Sequence, residues 1–109
     1  MTSAALTEQD FRLEADRALE QAQRALLPLA DEEGFEVELQ NGVLQLIFEE
    51  PAPAKFVVSP NAPVRQVWVS ALSRSFKLSW AGDASTFVLD GERLNALLER
   101  LAREHLHRA

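Results

Sequence analysis

Apolar side chains recur along residues 11–29 at the spacing of a helical turn. At about 100° per residue, Phe11, Ala15, Ala18, Leu19, Ala22, Ala25, Leu26 and Leu29 gather on one side. Leu13, Asp16, Arg17, Glu20, Arg24 and Leu27 fall on the opposite side. Thr7 can cap this helix, and Asp10, three residues on, suits the positive end of the helix dipole. Pro28 predicts the end of the helix, because the residue before a proline is pushed out of the helical region. Asp31, Glu32, Glu33 and Gly34 then read as an acidic turn.

The period changes to two at Phe35. Phe35, Val37 and Leu39 alternate with Glu36, Glu38 and Gln40, and Asn41-Gly42 follows, the strongest short hairpin signal. A two-residue loop pairs Gln40 with Val43, Glu38 with Gln45 and Glu36 with Ile47. It also places Leu39 against Leu44, Val37 against Leu46 and Phe35 against Phe48, so register and hydrophobic pattern agree. Pro51-Ala52-Pro53-Ala54 breaks the chain. Further strands are predicted at Lys55–Ser59, Val64–Ala71, Ser75–Trp80 and Ser85–Leu89, with turns at Ser59–Pro63 and Ala81–Asp83. Asp90 is expected to cap a last helix starting at Gly91 or Glu92, with Leu94, Leu97, Leu98, Leu101 and His105 on its apolar side. The order is helix, about six antiparallel strands, helix. An α+β sandwich with both helices on one sheet face is the expected packing, in a single domain spanning residues 1–109.

Composition narrows the function. The 109 residues carry a formal net charge of −6, a poor match to nucleic acid or to an anionic membrane. Cations and basic protein surfaces are the natural partners, although −6 also serves solubility alone. No cysteine is present, which excludes disulfides, thiolate nucleophiles and Cys-ligated metal sites. No apolar run approaches the roughly 20 residues needed to span a bilayer. Residues 1–6 carry no basic region of a signal or transit peptide, so a cytoplasmic location is expected. A monomer is expected as well. The only imidazoles are His105 and His107, and the four glycines are scattered at turns. No nucleophile therefore has a base beside it, and no phosphate loop is present, so an enzyme is not expected.

Two features carry candidate chemistry. Asp16 and Glu20 lie one turn apart on the outer side of the first helix. Asp31, Glu32 and Glu33 follow in the turn, and Glu36 and Glu38 lie on the outward side of the first strand. Such a spread suits weak, exchangeable binding of hard cations or Fe²⁺, or else is a solvated acidic surface. The second feature is Trp68. With Val67 and Val69 facing the core, Trp68 points outward beside Gln66 and Ser70, as a binding hot spot would. The opposite register would make Trp68 core and bury Gln66 and Ser70.

These residues together resemble the frataxin family, its bacterial branch in particular. The stretch Pro63-Val64-Arg65-Gln66-Val67-Trp68-Val69-Ser70 is similar to that family's segment Pro-x-x-Gln-[Ile/Val]-Trp-[Leu/Val]-[Ser/Ala]. Asn41-Gly42-Val43-Leu44, Trp80-Ala81-Gly82 and Asp90-Gly91 before a leucine-rich helix match in order and spacing. The resemblance implies a non-enzymatic role in iron–sulfur cluster assembly, with weak and exchangeable binding of iron (Fe²⁺/Fe³⁺). It implies a cysteine desulfurase and its iron–sulfur scaffold protein as partners. Glu8, Asp16, Glu36 and Glu38 carry over to the family's acidic ridge, and Gln66 and Trp68 to its sheet face. Asn61 and Lys77 match polar and basic contact positions. Gln23, Arg24, Leu27, Pro28 and Ala30 stand where the bacterial branch is acidic, so the ridge is thinned. Ser59 replaces a common Asn, and Ser85 a second tryptophan. A frataxin-like binding module with little metal function is the alternative. A ferroxidase would need a preorganised di-iron centre, for which the sequence offers no buried carboxylate and histidine set.

Overall fold

The structure is a computed structural model that describes residues 6–107. The reading of the first residues as free of a targeting segment falls mostly on residues 1–5, outside that range. Helix α1 spans Glu8–Glu33. Seven strands follow: β1 Glu36–Gln40, β2 Val43–Phe48, β3 Ala54–Asn61, β4 Gln66–Ala71, β5 Arg74–Ala81, β6 Thr86–Leu89 and β7 Glu92–Arg93. A short 3-10 turn, Ala62–Val64, joins β3 to β4, and α2 spans Leu94–Leu106. The strands form one antiparallel meander in sequence order.

Helix α1 begins as its sequence dictates. The Thr7 hydroxyl accepts from the Asp10 backbone N–H at 3.0 Å. Its apolar stripe is buried, with Phe11, Ala15, Leu19 and Ala22 fully enclosed, while Leu13 and Leu27 stay exposed on the far side. Ala25, expected in the stripe, lies exposed, and Ala30 is buried in its stead. The helix does not stop at Pro28. Proline removes only its own N–H and crowds one preceding carbonyl, and Pro28 lies on the solvent side. Beyond it, burial of Leu29 and Ala30 and a left-handed Gly34 carry the helix to a proper end. The Gly34 and Phe35 backbone N–H groups both donate to the Ala30 carbonyl, at 2.7 and 3.2 Å. Asp31, Glu32 and Glu33, expected in a turn, are therefore the last helical turn.

The Asn41-Gly42 hairpin has the register read from the sequence, with Gln40 opposite Val43 and Leu39 opposite Leu44. Strand β3 is longer than expected and continues through Ser59, Pro60 and Asn61, which face Trp68, Val67 and Gln66. Pro60 is tolerated because the β2 register ends at Leu44 opposite Val58, so β3 is locally an edge there. Val64 leaves the expected strand for the 3-10 turn and is half-exposed. The largest correction lies at Asp90-Gly91. Both residues take positive φ, 52° and 83°, and make a hairpin turn into the short strand β7. Asp90 is thus not the helix cap; Arg93 occupies that position, and α2 starts at Leu94.

Both helices cover one sheet face. The inward side chains of five strands, from Leu44, Leu46 and Phe48 on β2 through Phe56, Val67 and Leu78 to Phe87 on β6, join those of α1 and α2 in one core. Each fully buried Leu or Phe contributes about 1.5–3 kcal/mol. His105 closes the far end. It is buried, its ring 4.8 Å from Phe48, and its Nε2 lies 2.9 Å from the Ala52 carbonyl oxygen. A carbonyl only accepts, so Nε2 carries the proton and ties α2 to the Pro51–Pro53 segment.

Candidate docking face and acidic edge

The side chains that alternate away from the core make the second sheet face, which no helix among the described residues covers. Its centre is Trp68. Alternation on β4 turns Val67 and Val69 inward, where both are buried, and leaves Trp68 half-buried on the outer side with Gln66 and Ser70. Lys77 lies directly opposite on β5, and its ammonium sits 4.7 Å above the indole ring. The indole Nε1–H donates to Gln66 Oε1 at 2.9 Å, and Gln66 Nε2 donates to Ser79 Oγ at 3.4 Å. The tryptophan is thus held by a cation on one side and an amide on the other, which fixes its ring before any partner arrives. Asn61, at the end of β3, faces Gln66 in the adjoining strand. Beside the indole is a depression of about 360 Å³ lined by Val57, Ser59, Trp68, Val69, Ser70, Ser75 and Lys77. Val57 and Ser75 join this hollow although no motif in the sequence marks them. The alternation Phe56, Val57, Val58 on β3 carries the signal for Val57, once Phe56 and Val58 are taken as core.

The carboxylates do not converge. Glu8 is in the first turn of α1 and pairs with Arg12 at 2.6 Å. The hydrogen bond from Arg12 holds its carboxyl below the usual range, helped by the charges of Arg12 and of Arg65. Asp16 is exposed midway along α1 and lines a groove of about 510 Å³ with Arg12, Asn41 and Gly42. Glu20, one turn on, shares a smaller hollow with Asp16, Leu39 and Gly42. Asp31, Glu32 and Glu33 are exposed at the C-terminal end of α1, and Glu36 and Glu38 are exposed on β1. Among the described residues no three His, Asp or Glu side chains come close enough to enclose a metal ion. The donors are hard oxygen ligands on open surface, a set suited to loose, exchangeable cations. One arrangement is electrostatically costly. The last turn of α1 has three acids and no base, at the negative end of the helix dipole.

No described helix is long and apolar enough to cross a membrane. Residues 4–108 match the family model described as a frataxin-like domain. The chain is 31% identical over 98 residues to the iron–sulfur cluster assembly protein CyaY of Janthinobacterium sp. (strain Marseille), covering 88% of this chain and 87% of that protein. It is 34% identical over 86 residues to the CyaY protein of Pseudomonas putida, covering 75% and 76%. The solved frataxin from Psychromonas ingrahamii superposes with a TM-score of 0.68 at 16% identity, over 91% of this chain and 90% of that one. With that fold, these relatives and a match along almost its whole length, the chain belongs to the frataxin family, in its bacterial CyaY-like branch.

Proposed function

We propose that this protein is a non-enzymatic accessory factor of iron–sulfur cluster assembly that docks, through its uncovered sheet face, on a complex of a cysteine desulfurase with its scaffold protein. The relatives' name, assembly protein, supplies the setting. The observation that carries the docking is Trp68: a large aromatic ring, partly exposed on a face without a described helix and already oriented by Lys77 and Gln66. Asn61, Gln66 and Lys77 frame the contact. The carboxylates Asp16, Glu20, Asp31, Glu32, Glu33, Glu36 and Glu38, with Glu8 at the far end, attract Fe²⁺ weakly and face a basic surface of the partner. Iron here is cargo, held loosely enough to be passed on. The place of action is the cytoplasm, and the acting form a monomer.

The test is titration of the desulfurase–scaffold complex with wild type and Trp68→Ala. Loss of a buried aromatic anchor weakens binding by about 30-fold or more. Equal affinity would remove the docking role from this face.

A second reading keeps the docking and drops the metal. Glu8 spends its charge on Arg12, and Arg24, Leu27 and Pro28 stand exposed on the outer side of α1. The readings separate in an Fe²⁺ titration followed by NMR. Saturable broadening along β1 that vanishes on reversing Glu36 and Glu38 to lysine supports iron binding. No saturable broadening in the wild type selects the module without metal.

A further inference from the structure

Charge on the uncovered sheet face is divided by strand. On β1 the outward positions include Glu36 and Glu38. From β3 to β7 the outward positions carry Lys55, Lys77 and Arg93 and no carboxylate at all. Glu92 does not break this pattern, because it lies on the helix side, bonded to Arg100 on α2. A protein with net charge −6 thus has a locally positive half on the face that holds the partly exposed Trp68.

Lys77 is the focus of that half. The ion pairs among the described residues all use arginine, and none involves Lys77. Its ammonium rests on the Trp68 ring, an interaction that orients the charge without cancelling it. The depression at its side is about 360 Å³. Val57 and the indole give it apolar surface, and Ser59, Ser70 and Ser75 add hydroxyl donors. An apolar wall, a cation and hydroxyls in one hollow match an acidic side chain: the methylenes lie on the wall and the carboxylate meets Lys77.

We infer that the partner protein inserts an aspartate or glutamate side chain into the hollow between Trp68 and Lys77. The inference rests on the docking role proposed for this face and deepens it. Attraction then runs both ways across one interface, the partner's bases over β1 and the partner's acid over β5. Such a two-signed surface fixes the orientation of docking, since a rotated partner would bring like charges together.

The experiment measures affinity for the desulfurase–scaffold complex at several salt concentrations, with Trp68→Ala, Lys77→Arg, Lys77→Met and Lys77→Glu, each checked for an unchanged thermal melt. Lys77→Met keeps the aliphatic stem and loses the charge. It is expected to weaken binding about tenfold and to flatten the salt dependence, with Lys77→Glu weaker still and Lys77→Arg within about twofold of wild type. A role for Lys77 in merely supporting the indole would leave the salt dependence unmoved. If Trp68→Ala loses binding while Lys77→Met and Lys77→Glu bind as wild type, the face docks but receives no acid, and the inference is overturned. Tighter binding by Lys77→Glu also overturns it, by showing a cation there. Wild-type affinity in Trp68→Ala removes the docking role, and the inference with it.

Discussion

Phe48 is the residue on which the far end of the core depends. Its ring lies 4.5 Å from Phe35, 4.9 Å from Phe56 and 4.8 Å from His105, so one side chain joins β2, β3, α2 and the link from α1 to β1. Phe48→Ala should cost about 3–5 kcal/mol in urea unfolding, with the denaturant slope unchanged. A loss below about 1 kcal/mol would mean that the neighbours collapse into the space. The direction of a strand side chain is legible in the sequence wherever alternation is clean. Trp68 lies outward because Val67 and Val69 are buried, and that choice was open to the sequence since the other register buries Gln66 and Ser70. The hold that Gln66 and Lys77 keep on the indole was not legible. It depends on β4 and β5 lying side by side with Trp68 opposite Lys77, a register no local pattern fixes.

At the scale of elements, the differences come from residues whose local preference has two outlets. Asn41-Gly42 lies between two alternating runs, so only a hairpin fits. Asp90-Gly91 precedes a leucine-rich helix, and a capping aspartate fits as well as a turn; the two-residue strand after it is too short to show a period. Pro28 signals a stop, yet it sits on the solvent side of α1 with buried Leu29 and Ala30 beyond it. The helix therefore tolerates the proline rather than using it. Pro28→Ala should raise stability by about 1–3 kcal/mol, read as a higher melting temperature. A lower one would show that the proline shapes the helix end. The contact between β7 and α2 is electrostatic. Arg100 grips Glu92 with two hydrogen bonds, at 2.8 and 2.9 Å, and these hold the Glu92 carboxyl below its ordinary 4.5. A carboxyl lowered on folding stabilises fully above its unfolded value and less as pH falls through the folded one. The pair is partly exposed, so Glu92→Gln should cost no more than about 1 kcal/mol at neutral pH. That difference should shrink as pH falls from about 4.5 downward, and a pH-independent difference in melting curves would refute the pairing as its cause.

Over the whole molecule, the two-layer arrangement was legible because both ends are helical and the middle alternates, which leaves few other ways to bury seven short strands. The same arrangement creates the candidate docking face: two helices cover one side of the sheet, and no described element covers the other. What the sequence left open was the division of charge across the uncovered face. The acids on α1 and β1 follow from the pattern, but only the fold brings Lys55, Lys77 and Arg93 together on the outward side of β3 to β7 without a carboxylate among them. A consequence is that association should slow as salt rises, more steeply than the stability of the free protein falls. Stopped-flow binding across a salt series checks this, and a flat on-rate would mean that the two-signed face does not steer.

The last turn of α1 makes the fold sensitive to its solution. Asp31, Glu32 and Glu33 crowd the negative helix end without a base in that turn, an arrangement that favours the unfolded chain. Any cation that settles there relieves the repulsion, and only while the helix exists. The melting temperature therefore doubles as an occupancy meter. At ten times its dissociation constant, a bound cation adds about 1.4 kcal/mol. Replacing the three acids by amides should raise the melting point in metal-free buffer and abolish its rise with added magnesium. Heat resistance in this protein would then be supplied in part by its surroundings, and the chain would be least robust where free cations are scarce.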